Sequence, residues 1–146
     1  MSTDRTVVVG DALALARAAW VRETRRRLIA VGHHDFRRSD TALIRRLRAG
    51  PAALVDLARL LGVSRQAIRK FVASLEERGY VTVERDTSDG RRCLVTLTPT
   101  GEAYARAVRD VARALNHDVA RQIDEGALAV TLEVLTTLAA IYDIEA

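Results

Sequence analysis

Apolar residues recur at helical spacing along the first half of the chain, punctuated by glycine and proline. Leu13, Ala16, Trp20, Leu28 and Ile29 predict a helix over about 11–31, opened by Asp11 and stopped by Gly32. Asp40 can cap a short helix that runs through Leu47 and is closed by Gly50-Pro51. Leu54, Leu57, Ala58 and Leu61 share one face of a third helix, about 53–61. After Gly62-Val63, a fourth helix runs from Ser64 to Arg78 and ends at Gly79. The period then changes to two: Val81 and Val83 alternate with polar residues, and Val95 and Leu97 do so again. The turn-rich stretch Asp86 to Gly90 between them makes Tyr80 to Thr98 a β-hairpin. Thr98-Pro99 opens a long helix, with threonine as N-cap and proline at the first helical position. Asp124-Glu125-Gly126 breaks that helix, and a last one spans about 127–142.

The last helix is apolar on two faces. Leu128, Leu132, Leu135 and Tyr142 form one stripe, and Val130, Val134, Leu138 and Ile141 form another. A surface helix of a monomer needs only one such stripe. At the end of the chain the second neighbour is expected to be another subunit, so the pattern points to a homodimer. A central core helix of a monomer is the weaker reading, because few elements remain to cover it.

Three positions make residues 54–75 a helix-turn-helix rather than any two helices. Ala58 is small where the helices cross, Gly62 suits a left-handed helix end, and Ile68 fills the space between them. Ser64 caps the second helix and leaves its N-terminus open to a phosphate. Ile68, Phe71, Val72 and Leu75 are expected to be buried, and Arg65, Gln66, Arg69 and Lys70 to project outward. Arginine pairs in bidentate fashion with guanine and glutamine with adenine, and the only lysine suits a phosphate. A merely solvated helix face is the bland alternative, and the framework residues and the hairpin downstream weigh against it. The hairpin is then a wing whose tip offers Arg91 and Arg92 to the adjacent minor groove, with Asp89 bracing an arginine.

Charge sharpens this picture. The net charge of +4 divides into +3 over residues 1–40, +5 over 41–92 and −4 over 93–146. A polyanion-binding surface needs that concentration of cations. Because 22 of the 23 basic residues are arginine, a compositional habit of the coding sequence competes with this reading, and charge alone decides little. Hydrophobic residues at 49% can bury an aliphatic core, and one cysteine, Cys93, excludes an internal disulfide and suits a reducing cytoplasm. No apolar run approaches the roughly 20 residues of a membrane span, and no signal peptide is expected.

Taken in order, L-A-R-L-L-G-V-S-R-Q-A-I-R-K, L-E-E-R-G-Y-V, D-G-R and L-T-P-T-G-E between terminal helices resemble the MarR (multiple antibiotic resistance regulator) family over roughly residues 10–143. The D-x-R at 89–91, followed by L-T-P-T-G, is the most specific part of the match. The resemblance implies an obligate dimer, formed by the N- and C-terminal helices, on a pseudo-palindromic operator in double-stranded DNA. It implies major-groove reading by Ser64, Arg65, Gln66, Arg69 and Lys70, and a wing arginine at Arg91. Many members respond to small phenolic ligands in a cleft between the dimer and DNA-binding regions, but no motif in this chain marks such a site.

The expected fold class is therefore mainly α with a small β-hairpin wing: a winged helix-turn-helix with N- and C-terminal dimerisation helices. The 146 residues form one domain, with the DNA-binding region at 40–98 and dimerisation helices at 10–32 and 99–143. The expected function is a dimeric, cytoplasmic transcriptional regulator, a repressor rather than an activator, possessing no catalytic residues and no cofactor. His33, His34, Asp35 and His117 lack metal-ligand spacing, so helix-end histidines are preferred to a metal site. Cys93 defaults to a small, semi-buried hydrophobe. A winged-helix module that binds protein, and a redox or metal sensor of the same family, are the rival readings.

Overall fold

The computed structural model describes residues 8–90 and 92–142. In order they form α1 (Val9–Ala30), α2 (Asp40–Leu47), β1 (Ala52–Ala53), α3 (Leu54–Leu61) and α4 (Arg65–Glu77). Then come β2 (Val81–Arg85), β3 (Cys93–Leu97), α5 (Pro99–Gln122) and α6 (Glu125–Tyr142). The fold is mainly helical with a small antiparallel sheet, as the periodicities predict. Local chemistry explains the boundaries: Thr98 Oγ1 accepts the Gly101 N–H at 3.0 Å to open α5 behind Pro99. Gly32 and Gly79 close their segments at φ of 95° and 76°, a region costly for residues with a Cβ.

β2 and β3 pair in the expected hairpin, with Val83 opposite Val95. A third strand joins them, β1, whose Ala52 and Ala53 face Val95 and Leu94. The sheet order is β1-β3-β2, so the wing is stitched to the start of α3. Leu43, Leu57, Ile68, Leu75, Val95 and Tyr104 are among the fully buried residues where α2, α3, α4, α5 and the sheet meet. α1 packs on α5 and is tied to it by Arg27, which bridges Glu23 and Asp118 at 2.8 and 2.5 Å.

Three expectations need correction. Asp40 is not a helix cap: α2 has no side-chain cap, and the Asp40 carboxylate turns inward, fully buried, to accept the Arg37 N–H and the Tyr104 hydroxyl. Phe71 is only half-buried, because an open groove between α1, α2 and α4, with Arg17 and Arg38 on its rim, leaves its ring partly uncovered. α6 begins at Glu125 rather than 127, since the Asp124 carboxylate accepts the Gly126 N–H and starts the helix earlier. The wing residue Arg91 lies outside the described residues.

Candidate nucleic-acid interface

The helix-turn-helix is built as its residue types dictate. Gly62 takes the left-handed conformation at φ 61° that ends α3. Ala58 is buried at the crossing, and Ile68 fills the space between the two helices. Ser64, extended at φ −65° and ψ 159°, caps α4 by accepting the Ala67 N–H at 3.1 Å. Two orphan N–H groups and three cations therefore share the first turns of α4, which contain no acidic residue.

Burial divides α4 sharply. Ile68, Val72 and Leu75 face the core, while Ser64, Arg65, Gln66, Arg69 and Lys70 are all exposed. Arg65 and Arg69 stand one turn apart and reach a common cleft of about 330 Å³ between α3, α4 and β3. Arg92 and Cys93 enter the same cleft from the wing, over an apolar wall that includes Leu54 and Ile68. The structure thus gathers cations of α4 and of the wing that lie 23 to 27 positions apart in sequence. Cys93 is half-buried there, as a small hydrophobe would be.

The wing is more ordered by its own hydrogen bonds than a plain polar turn. The Asp86 carboxylate accepts the Ser88 N–H at 2.9 Å and its hydroxyl at 2.7 Å, which holds it below the usual carboxylate range. The Asp86 N–H donates to the Arg92 carbonyl at 2.8 Å, and the Arg92 N–H to the Asp89 carbonyl at 2.9 Å. The Arg92 side chain reaches back 3.4 Å to Asp56 on α3. Sequence reasoning missed Asp56, because nothing local marks an acid as the partner of a residue 36 positions away. His33 rests against the Tyr104 ring at 5.0 Å between centroids, as a packing residue would. No group of three potential metal ligands occurs among the described residues.

A model of the MarR family matches residues 34–92. No curated protein matches the chain. Among solved structures, a probable transcriptional regulator from Pseudomonas aeruginosa is 25% identical, with a TM-score of 0.77 over 90% of this chain and 97% of that one. The transcriptional repressor CouR, bound to a 23-mer DNA duplex, is 22% identical, with a TM-score of 0.79 over 90% and 92%. The PcaV transcriptional regulator from Streptomyces coelicolor, in complex with its natural ligand, is 21% identical, with a TM-score of 0.75 over 96% and 97%. The latter two likenesses are of fold. Residues 34–92 thus match the MarR family's model, and the chain shares its fold along nine tenths of its length with transcriptional regulators of known structure.

Proposed function

We propose that this chain is a cytoplasmic homodimeric repressor that reads an inverted-repeat operator in double-stranded DNA. One observation carries the reading: on α4, Arg65, Gln66, Arg69 and Lys70 are all exposed, while Ile68, Val72 and Leu75 on the opposite face are buried. Arg65, Gln66 and Arg69 enter the major groove, with Ser64 and Lys70 on the phosphates. Arg91 reaches the minor groove, and Asp89 steadies the wing. Arg92, already paired to Asp56, contributes charge and also fixes the wing against α3. The winged region 40–98 is the DNA-binding part, and the helices at 10–32 and 99–143 make the dimer.

The dimer reading is supported by α6: none of its residues 125–141 is buried, although their apolar side chains include Val130, Leu132, Val134, Leu135 and Ile141. The first half of α1 is equally bare, exposing Leu13, Leu15 and Trp20. An apolar surface of that extent needs a cover. Blocking a promoter requires no contact beyond DNA itself, which favours repression, and no catalytic step is involved. A groove of about 250 Å³ between α2 and α5 suits an anionic effector, because Arg45, Arg48, Arg109 and Arg113 ring an apolar floor of Ile44 and Val108. The test is selection of duplexes from random DNA by the purified protein, followed by affinity measurement at several salt concentrations. Recovery of an inverted repeat with salt-dependent binding supports the reading. Failure to enrich any sequence, or capture of duplexes with no salt dependence, contradicts it.

A further inference from the structure

α4 is open at its N-terminal end and clamped at its C-terminal end by one arginine. Arg78 follows the last helical residue, and its guanidinium has five N–H groups. All five directions are used. Nε donates to the Ser74 carbonyl at 2.9 Å and Nη2 to the Ser74 hydroxyl at 3.2 Å, which grips the helix itself. Nη1 and Nη2 then form a fork on Asp40, at 2.9 Å to Oδ2 and 2.8 Å to Oδ1, and Nη1 also donates to the Asp35 carbonyl at 3.0 Å. Asp40 is fully buried and accepts in addition from the Tyr104 hydroxyl on α5 at 2.8 Å. Tyr104 stacks on Tyr80, at 4.2 Å between centroids and 11° between planes, and the Tyr80 hydroxyl donates to Asp35 at 2.9 Å. The end of α4 is thereby joined to α2, to α5 and to the start of the wing.

Stability is a poor reason for such a node. A buried ion pair of this kind is often matched or bettered by apolar residues of the same size. What a forked pair supplies is a fixed plane and direction. α4 carries the base-reading residues, and α5 belongs to the part that would hold the partner subunit. We infer that Arg78, Asp40 and Tyr104 are positioning residues that set the bearing of the recognition helix against α5, and so the half-site spacing the dimer accepts. This rests on the DNA reading proposed above. The lever is long: Arg65 lies about 20 Å along the helix axis from Arg78, so a tilt of about 5° at the clamp moves it about 1.7 Å. That exceeds the tolerance of a bidentate base contact.

Two variants separate positioning from folding. Arg78→Lys keeps the charge and loses the fork; Tyr104→Phe keeps the stacked ring and loses one hydroxyl. Each is compared with wild type for affinity to the selected operator, to a random duplex of equal length, and to operators with the half-site spacing altered by one base pair either way. Thermal unfolding and sedimentation are recorded on the same samples. The clamp predicts that Arg78→Lys loses at least tenfold of its preference for operator over random DNA, with a flattened spacing profile. Random-duplex affinity and the oligomeric state should stay as in wild type, and Tyr104→Phe should move in the same direction by less. Wild-type discrimination and spacing profile in both variants would overturn the inference, as would a loss of operator and random binding in equal proportion. If Arg78→Lys does not fold, Tyr104→Phe decides alone. Wild-type protein that itself prefers no sequence defeats the DNA reading and the clamp together, an outcome distinct from failure of the clamp alone.

Discussion

Gly101→Ala tests the joint between α5 and the wing. Gly101 is the third residue of α5 and is buried. A Cβ there would lie 1.9 Å from the Tyr80 carbonyl oxygen, 2.9 Å from its carbonyl carbon and 3.2 Å from Leu97 Cδ2. Leu97 can rotate away, but the Tyr80 carbonyl is backbone and accepts the Thr98 N–H at 3.1 Å. Real Cβ contacts essentially never fall under 3.0 Å, so α5 or the start of β2 must move by about 1.1 Å. Thr98 holds both, since its hydroxyl also donates to the Gly79 carbonyl at 2.6 Å. Overpacking of this kind costs about 1–3 kcal/mol, and a strained hydrogen bond adds about 1 kcal/mol. The helix propensity of alanine returns about 1 kcal/mol, so the net loss is about 1–3 kcal/mol, opposite in sign to propensity. Urea unfolding followed by circular dichroism at fixed protein concentration measures it, with the exposed Thr100→Ala as control. The midpoint should fall with the slope unchanged. A Gly101→Ala protein within about 0.5 kcal/mol of wild type, the range of an ordinary surface change, would refute the close approach.

Four further outcomes are expected. Arg69→Ala and Gln66→Ala should each weaken operator binding by about 1–3 kcal/mol with little change on random DNA, as read by fluorescence anisotropy. Arg91→Ala should lower affinity and reduce the log–log salt slope by about 0.9 for one lost phosphate contact. Leu135→Asp should yield a folded monomer that no longer binds the operator: Leu135 is exposed in the single chain, so the carboxylate stays solvated until a partner buries it. Burial and the nearby Asp35 push the Tyr80 hydroxyl up to about 12, and burial, with Asp40, pushes Tyr104 higher still. The folded state therefore holds these protons more tightly than the unfolded chain. Their stabilisation is intact below about pH 10 and is lost as pH rises towards and through 12. Absorbance at 295 nm should show late phenolate formation coinciding with unfolding, and early ionisation of all three tyrosines on a folded protein would contradict it.

The helix-turn-helix was legible because its determinants are local. Ser64 caps the helix that follows it, Gly62 turns the chain within one residue, and Ile68 follows from helical period alone. Thr98 and Pro99 open α5 for the same reason. What the sequence concealed depends on partners far away in the chain. Asp40 has the residue type and place of a cap, but Arg78, 38 positions on, and Tyr104, 64 positions on, draw its carboxylate inward. β1 is two alanines with no strand preference, and only their pairing with Val95 and Leu94 makes them a strand. The Arg92–Asp56 bridge is hidden for the same reason. The apolar double stripe of α6 was visible, because an unpartnered helix states its need for a cover in its own sequence.

Sedimentation velocity of the wild-type protein at low micromolar concentration, alone and with a selected duplex, tests the central claim most directly. One recognition helix reads only a few base pairs, so specificity requires two held about 10–10.5 bp apart. The account predicts a species of about twice the 16.1 kDa chain mass in the absence of DNA, and two chains on each duplex carrying an inverted repeat. A monomer that still bound its preferred duplex tightly, one chain at a time, would contradict it.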